Sequence, residues 1–249
     1  MSPTETRHIA LMEWTDRGIV LTGRPHGEGG LVASLLTRDH GRHAGFVPGG
    51  GSRRARPIWQ PGNLVDVVWR ARLAEQLGNY SGELREAYAA RALDDASELA
   101  GLAAACATID TALPEREPHP AVFEGFHAFL AALGHAGWPM IYVRLELGLL
   151  QELGFGLDLE KCAVSGDTED LAFVSPRTGR AVSRAAAGPY KEKLLPLPAF
   201  LSTGGLPADD DELHQGLDLT GYFLERHVFW PQNKPLPPAR SRFKETLHR

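Results

Sequence analysis

The feature that most constrains the fold is a change in the spacing of apolar residues near position 82. Before it, the segment 64–73 alternates apolar and polar side chains, which predicts a strand with one buried and one solvated face. After it, apolar residues recur every three or four positions, which predicts amphipathic helices. The chain is therefore predicted to be of the α+β class, with a strand-rich front and a mainly helical remainder.

Residues 1–82 are predicted to form a small β-barrel of the OB type. Short apolar runs at 18–22 and 31–37 are separated by glycine-rich turns, and several short strands in roughly 80 residues fit a five-stranded barrel. The predicted buried face of the strand 64–73 consists of Val65, Val67, Trp69, Ala71 and Leu73. The predicted solvent face carries Asp66, Arg70 and Arg72.

The rest of the chain divides into three predicted parts. Residues 83–154 carry three apolar stripes and should form a helical domain, whose first helix we expect to be capped by Ser81. Residues 155–187 break into short apolar pieces and turns. Residues 188–249 contain a last predicted helix, 213–229, and a basic tail that should pack on the helical domain.

Composition and sequence pattern set further limits. No apolar run approaches the roughly 20 residues of a membrane span, and the first residues lack an apolar stretch of signal-peptide length, so we expect a cytoplasmic protein. The two cysteines, Cys106 and Cys162, are too few for a disulfide framework or a zinc site of four thiolates.

Charge is distributed unevenly along the chain. Residues 1–82 carry ten Lys and Arg against seven Asp and Glu, whereas residues 83–249 carry sixteen against twenty-four. The segment 234–249 is basic again, with five Lys and Arg against one Glu. This asymmetry indicates a cationic binding face on a protein whose net charge is −5.

The segment 42–56, RHAGFVPGGGSRRAR, is the main candidate for such a face. Its three consecutive glycines permit unusual backbone conformations, and Arg53, Arg54 and Arg56 follow them directly. We expect a flexible cationic loop, because guanidinium groups bind phosphate oxygens well. The alternative is an ordinary solvated turn.

Other candidates for DNA contact lie outside the glycine segment. Arg42, Arg70 and Arg72 are predicted to lie on or beside strands of the barrel. Trp59 or Trp69 could stack on a base, although the apolar neighbours of Trp69 favour a place in the core. Weaker candidates for DNA or partner contacts are Lys191, Lys193, Arg240, Arg242 and Lys244.

Motifs for catalysis are scarce in this sequence. It lacks a P-loop, a dinucleotide-binding fingerprint, an H-E-x-x-H pair and a G-x-S-x-G elbow, so we expect a protein that is not an enzyme. Two alternatives remain open. One is a metal-dependent nuclease that uses the acidic run 209–212, which helix capping explains more simply. The other is an adaptor that binds only proteins.

Three segments, in collinear order, resemble the RecO family of bacterial recombination mediators. The first, 17–54, contains Gly27-Glu28, Leu35-Leu36-Thr37, Gly41 and Arg53-Arg54. The second is RLELGLLQELGFGLDLEKCAVSG at 144–166, and the third is KPLPPARSR at 234–242. Together they span nearly the whole chain.

The resemblance implies a function in DNA repair without ATP. Members of the family bind single- and double-stranded DNA, anneal complementary strands, bind RecR and the tail of single-stranded DNA-binding protein (SSB), and help load RecA. By resemblance, Arg144 is a candidate to bind the acidic SSB tail. The alternative for Arg144 is a surface ion pair with Glu146 or Glu152.

The chain departs from the family at the zinc ribbon that many relatives carry. The four cysteine positions correspond here to Cys162, Ser165, Ser183 and Ala186. A lone thiolate cannot hold structural zinc, so we expect no cofactor and a ribbon-like segment held by packing. Its small core is predicted to include Phe173, Val174 and Val182.

Overall fold

The computed structural model describes residues 12–207 and 209–247. The chain forms two compact units. The first consists of Met1–Ala87 with Pro114–Pro118, and the second of Tyr88–Leu113 with His119–Arg249. The first is a β-barrel and the second is mainly helical, which confirms the predicted α+β class.

The barrel of the first unit has five strands. They are β1 (Met12–His26), β2 (Gly30–Thr37), β3 (Gly41–Val47), β4 (Leu64–Ala71) and β5 (Asn79–Glu86). The closed order is β1-β2-β3-β5-β4, in which β3 and β5 meet in parallel through Phe46 and Asn79. The remaining pairs are antiparallel. This architecture is the predicted OB-type barrel.

Strand β4 shows the predicted alternation of buried and exposed residues. Val65, Val67, Trp69 and Ala71 are buried, while Asp66 and Arg70 are exposed. Leu73 departs from the prediction, because β4 ends at Ala71 and the leucine side chain is 57% exposed in the following turn. Trp69 therefore belongs to the barrel core, as the pattern favoured.

The helix predicted to begin at Ser81 is wrong. Residues 79–86 form β5, in which Ser81 pairs with Val68 of β4, and the predicted domain border at 82 falls inside this strand. Tertiary pairing with β4 overrides the apolar spacing of Leu84 and Tyr88. The first long helix is capped by Asp95, whose carboxylate accepts hydrogen bonds from the N–H groups of Ser97 and Glu98.

The second unit contains eight α-helices among its described residues. They are α1 (Tyr88–Arg91), α2 (Ala96–Ala112), α3 (Pro120–Ala132), α4 (Trp138–Glu152), α5 (Arg184–Ala187), α6 (Ala199–Thr203), α7 (Asp210–Phe223) and α8 (Pro238–Thr246). A π-helical turn, Leu224–Phe229, continues α7. Short 3₁₀ turns occur at Ala92–Asp94, Gly188–Lys193 and Trp230–Gln232.

Aromatic side chains fasten α8 to the rest of the helical unit. The ring of Phe243 on α8 lies 4.6 Å from that of Tyr142 and 5.5 Å from that of Trp138, measured between centroids. Gly101 of α2 lies against Trp138, where a β-carbon would collide with the indole. The basic C-terminal segment thus packs on the helices through apolar contacts.

A three-stranded sheet occupies the region predicted to be ribbon-like. Its strands are β6 (Leu171–Val174), β7 (Ala181–Ser183) and β8 (Leu195–Pro196), in the order β7-β6-β8. The third strand lies beyond the predicted boundary at 187. Buried Phe173, Val182 and Ala187 pack around Cys162 beside this sheet.

Among the described residues, no helix combines the length and the hydrophobicity that crossing a membrane requires.

Candidate nucleic-acid interface

The glycine- and arginine-containing segment is a hydrogen-bonded turn region rather than the flexible loop that we expected. We call residues 48–63 the arginine turn. The N–H of Gly50 donates to Val47 O at 3.1 Å, and that of Gly51 donates to Gly29 O at 3.0 Å. At its far end, Gly62 N–H donates to Val20 O at 2.8 Å. Gly50 allows close packing on the barrel, because a β-carbon there would lie 2.8 Å from Val47, and Gly49 adopts a positive φ of 66°.

The three arginines of this turn face solvent. Arg53, Arg54 and Arg56 are all exposed. Within the part of the chain that the structure describes, their side chains form no ion pair or hydrogen bond. Three guanidinium groups within four residues thus remain available to an external anion.

Arg24 extends this basic region and was missed by the sequence analysis. It is exposed near the end of β1, and the described residues provide no carboxylate partner for it. Gly23 beside it packs on the carbonyl of Trp59, and the turn after β1 is bound through Gly29 to Gly51. Arg24 therefore lies at the same end of the barrel as the arginine turn. A single arginine beside a Gly-rich turn gives no pattern from which this placement could be inferred.

Arg42 does not belong to the exposed basic region. Its side chain is only 18% exposed and forms an ion pair with Glu115 at 3.4 Å. Its backbone carbonyl also accepts a hydrogen bond from Arg116 N–H at 2.8 Å. Arg42 thus helps to bind the segment 114–118 to β3, and its role as a DNA contact stays a prediction.

Arg70 and Arg72 lie on another part of the barrel, along a groove of about 1030 Å³. Arg70 forms an ion pair with Glu13 at 2.5 Å, although both side chains are 46% exposed. Arg72 is exposed and has no carboxylate partner among the described residues. Of the two, Arg72 is the freer to meet a phosphate.

Trp59 and Trp69, the two candidates for base stacking, are both buried. Trp59 is 4% exposed and Trp69 is 1% exposed. The indole N–H of Trp69 donates to Leu77 O at 2.9 Å, which satisfies its polar group inside the barrel. The prediction that Trp59 stacks on a base is therefore wrong, because Trp59 too is a core residue.

His43 lies in the same aromatic core and is uncharged at neutral pH. Its ring packs edge-on against Trp14 and Trp69, with centroids 5.1 and 5.0 Å apart. Burial, reinforced by the positive charge of Arg116, lowers the pKa of His43 to about 4. The imidazole therefore adds nothing to the cationic surface at neutral pH.

A second depression in the barrel is acidic. Its lining includes Asp16, Asp39, Asp66 and Glu83, with Arg17 as the single basic residue. Asp16 is fully engaged, because its carboxylate accepts hydrogen bonds from Asp39 N–H and from the ring of His40, both at 2.9 Å. The barrel thus has an acidic depression as well as a basic region.

Arg144 lies on the surface of α4 in the helical unit. Its guanidinium donates to the carbonyl oxygens of Phe200 and Gly204, at 3.4 and 3.3 Å, at the end of α6. The alternative of an ion pair with Glu146 or Glu152 is wrong, since Glu146 binds Arg240 and Glu152 binds His119. Arg144 is exposed and stays a prediction for partner binding.

Arg240 is a buried structural residue, so its prediction as a weaker binding candidate is wrong. It is 3% exposed. Its Nε and Nη2 atoms donate to the two carboxylate oxygens of Glu146 at 2.6 and 2.8 Å, and Thr220 also binds that carboxylate. Lys244 forms an ion pair with Asp218. Of the remaining weaker candidates, Lys191, Lys193 and Arg242 are exposed.

The acidic run at 209–212 caps helices. Asp209 accepts a hydrogen bond from Glu212 N–H at 2.8 Å at the start of α7. The carboxylate of Glu212 accepts from the N–H groups of Ala199 and Phe200 at the start of α6. These contacts support the capping interpretation. The described residues contain no group of three or more potential metal ligands.

In the segment predicted to be ribbon-like, two of the other three corresponding positions contact the sulfur of Cys162. The N–H groups of Ser165 and Ser183 donate to Cys162 Sγ at 3.5 and 3.3 Å. Burial raises the pKa of this thiol, but the hydrogen bonds from Ser165 and Ser183 outweigh it and lower the pKa to about 6. One thiol, two hydroxyls and Ala186 do not fit structural zinc, which takes Cys and His ligands.

Comparisons with known sequences agree with both units. The family model described as the N-terminal part of recombination protein O matches residues 12–88, and that of the C-terminal part matches residues 93–236. A DNA repair protein RecO from Rhodospirillum centenum is 55% identical over 237 residues, which cover 93% of each chain. One from Rhodospirillum rubrum is 52% identical over 246 residues, covering 96% of this chain and 98% of the relative.

A third relative, DNA repair protein RecO from Phenylobacterium zucineum, is 54% identical over 232 residues, with 92% of this chain and 95% of the relative covered. These matches extend across the barrel and the helical unit alike, and they confirm the resemblance drawn from the three sequence segments. The chain belongs to the RecO family of recombination proteins.

Proposed function

We propose that this protein binds DNA through the arginine turn of its barrel and acts in DNA repair and recombination. The observation that carries the proposal is the trio of exposed arginines, Arg53, Arg54 and Arg56, without carboxylate partners among the described residues. Its relatives are named DNA repair protein RecO, which supports the same role.

The chemistry is phosphate binding by guanidinium groups. Each can donate two parallel hydrogen bonds to phosphate oxygens, and such contacts carry no base sequence information. Single and double strands are therefore both ligands. Arg24 adds a fourth positive charge at this end of the barrel.

Annealing follows from the same electrostatics. A cationic surface screens the repulsion between two phosphate backbones, so complementary strands meet without the use of ATP. We propose accordingly that the protein is not an enzyme, needs no cofactor and works in the cytoplasm. No nucleotide-binding motif occurs in the sequence, which supports this proposal.

Partner binding is the second part of the proposal. The protein works with RecR, and Arg144 binds the acidic tail of SSB, so that RecA can be loaded on coated strands. Arg144 is exposed and donates to the carbonyl of Gly204, and Leu206, two residues further along the chain, is 68% exposed. A basic group next to an apolar one suits an acidic peptide with an aromatic end.

One annealing experiment separates the two parts. Complementary strands are annealed bare or coated with SSB, using the intact chain, Arg53→Ala/Arg54→Ala/Arg56→Ala, and Arg144→Ala. We expect the triple variant to fail on both substrates and Arg144→Ala to fail only on coated strands.

The matched control is Arg85→Ala/Arg177→Ala/Arg184→Ala, which removes three exposed arginines elsewhere. Equal activity of the two triple variants would refute the arginine turn as the DNA site. If the intact chain anneals nothing and shifts no DNA, the protein is instead an adaptor that binds only proteins.

A further inference from the structure

The groove beside Arg72 has the composition of a ligand site. Here it is called the barrel groove, and it lies between the arginine turn, the end of β3 and the β4–β5 hairpin. Buried Trp59 and Tyr80 are among the residues that line it. Partly exposed apolar side chains line it as well: Phe46, Ile58 and Leu77.

Its polar groups are donors and neutral amides or hydroxyls. Arg70 and Arg72 line the barrel groove together with Gln76, Asn79 and Ser81, and its lining contains no Asp or Glu. An anionic ligand with flat apolar parts would therefore meet complementary groups. This combination differs from the acidic depression elsewhere on the barrel.

The hairpin loop that forms part of this groove is held in place. Gln76 accepts hydrogen bonds from the N–H groups of Arg72 and Leu73, at 3.2 and 3.3 Å. The guanidinium of Arg116 donates to the carbonyls of Glu75 and Gln76, at 3.2 and 3.0 Å. A loop fixed in this way loses little conformational entropy when a ligand binds.

We propose that the barrel groove receives unstacked bases of a single DNA strand whose phosphates are held by the arginine turn. The inference rests on the proposed function and adds a second site to it. Ala55 and Ile58 belong to the arginine turn and also line the groove, so a strand leaving the arginines enters it directly.

The place is not the usual ligand surface of an OB barrel. That surface uses strands 2 and 3 with the β1–β2 and β4–β5 loops, whereas β2 in this protein is buried at seven of its eight residues. The barrel groove shares the β4–β5 loop with the usual surface and uses the arginine turn and β5 besides.

Apolar walls select bases that are free of the double helix. Bases in a duplex are stacked and paired, so their faces are closed to Leu77 and Ile58, while a single strand can turn its bases out. The groove therefore adds affinity for single strands and none for duplexes. The arginine turn, which contacts phosphates, serves both.

The test compares three labelled probes by fluorescence anisotropy with the full chain. The probes are a single strand, the same strand with abasic sites at its centre, and a duplex. The groove variant is Leu77→Ser/Ile58→Ser, which changes no charge. Its control is Leu84→Ser, because Leu84 is 41% exposed on the same barrel, close to the 43% of Leu77, and does not line the groove.

We expect the intact chain and Leu84→Ser to bind the abasic strand roughly tenfold more weakly than the normal strand. The groove variant should bind both single strands equally, at the abasic level, and should bind the duplex like the intact chain. Its melting temperature reports whether it is folded, and Leu77→Ser alone serves if the double change unfolds the barrel.

Two outcomes overturn the inference. One is a folded groove variant that still distinguishes normal from abasic strands as the intact chain does. The other is a loss of duplex binding as large as the loss of single-strand binding. Failure of the proposed function looks different, because the intact chain would then bind none of the three probes.

Discussion

Arg53 and Arg240 carry the same guanidinium group and have opposite surroundings. Arg53 is exposed and has no partner among the described residues, whereas Arg240 is buried against Glu146. The sequence gives no local sign of this difference, because both arginines lie in basic segments. Only the packing of α8, through Phe243, places Arg240 beside a carboxylate of α4.

Replacing Arg240 should therefore cost stability rather than DNA affinity. Arg240→Met leaves the Glu146 carboxylate buried without its partner, and breaking such a pair typically costs about 3–5 kcal/mol. Urea unfolding measures this loss. Adding Glu146→Gln to the same chain should recover part of the lost unfolding free energy. A loss below about 1 kcal/mol for Arg240→Met, which is typical of an exposed ion pair, would contradict the buried pair.

Protonation of His43 should destabilise the barrel in mild acid. Its folded pKa of about 4 lies below the ordinary value of 6.5, so the unfolded chain takes up the proton first as the pH falls. Above pH 6.5 the neutral imidazole costs the folded state nothing. Between pH 6.5 and about 4 the free energy of unfolding should fall by roughly 3 kcal/mol because of this group.

Denaturant unfolding between these pH values checks this expectation. His43→Leu removes the titrating group and should unfold with a shallower pH dependence than the intact chain. Identical pH profiles of the two proteins would show that His43 is already protonated, or unburied, in the folded state.

At the scale of elements, the alternation of apolar residues and the glycine-rich turns predicted β4 and the barrel, but they did not predict the end of β5. Val65 to Ala71 alternate cleanly because β4 has one face in the core. Ser81 and Glu83 are residue types that are typical of the start of a helix, but both pair with β4 and are therefore strand residues. The groove was also beyond sequence reasoning, since it joins β3, the arginine turn and the β4–β5 hairpin.

The segment 114–118 is another element that the sequence did not reveal. It follows α2 and yet pairs with the barrel, through a bridge between Arg42 and Glu115. Arg116 there has a φ of 64°, a left-handed conformation that costs energy in a residue other than glycine. Gly41 is required opposite it, because a β-carbon would collide with the carbonyl of Glu117.

Arg116→Ala should loosen the β4–β5 loop without unfolding the barrel. The change removes two hydrogen bonds to loop carbonyls, which together are worth about 2 kcal/mol, so amides at 72–78 should exchange hydrogen roughly tenfold faster or more. Hydrogen-exchange mass spectrometry measures this, with β6 and β7 as an internal reference. Unchanged exchange in the loop would mean that Trp69 and Gln76 hold it without Arg116.

For the whole molecule, net charge is a poor guide to what the surface binds. The chain carries a formal charge of −5, yet the exposed arginines of the barrel form a basic region and Asp39, Asp66 and Glu83 form an acidic one. The family relationship and the α+β organisation are evident in the sequence. The separation of basic and acidic regions on the surface is not evident in the sequence, because it depends on which carboxylates pair with which arginines.

The salt dependence of single-strand binding tests the central claim most directly. We plot the logarithm of affinity against the logarithm of salt concentration. If Arg53, Arg54 and Arg56 each neutralise a phosphate, the slope of this plot should be smaller in magnitude by about 2 for their triple alanine variant than for the intact chain. The control triple variant, Arg85→Ala/Arg177→Ala/Arg184→Ala, should keep the intact slope. Equal slopes for the intact chain and the arginine-turn variant would contradict the claim that these three side chains hold the strand.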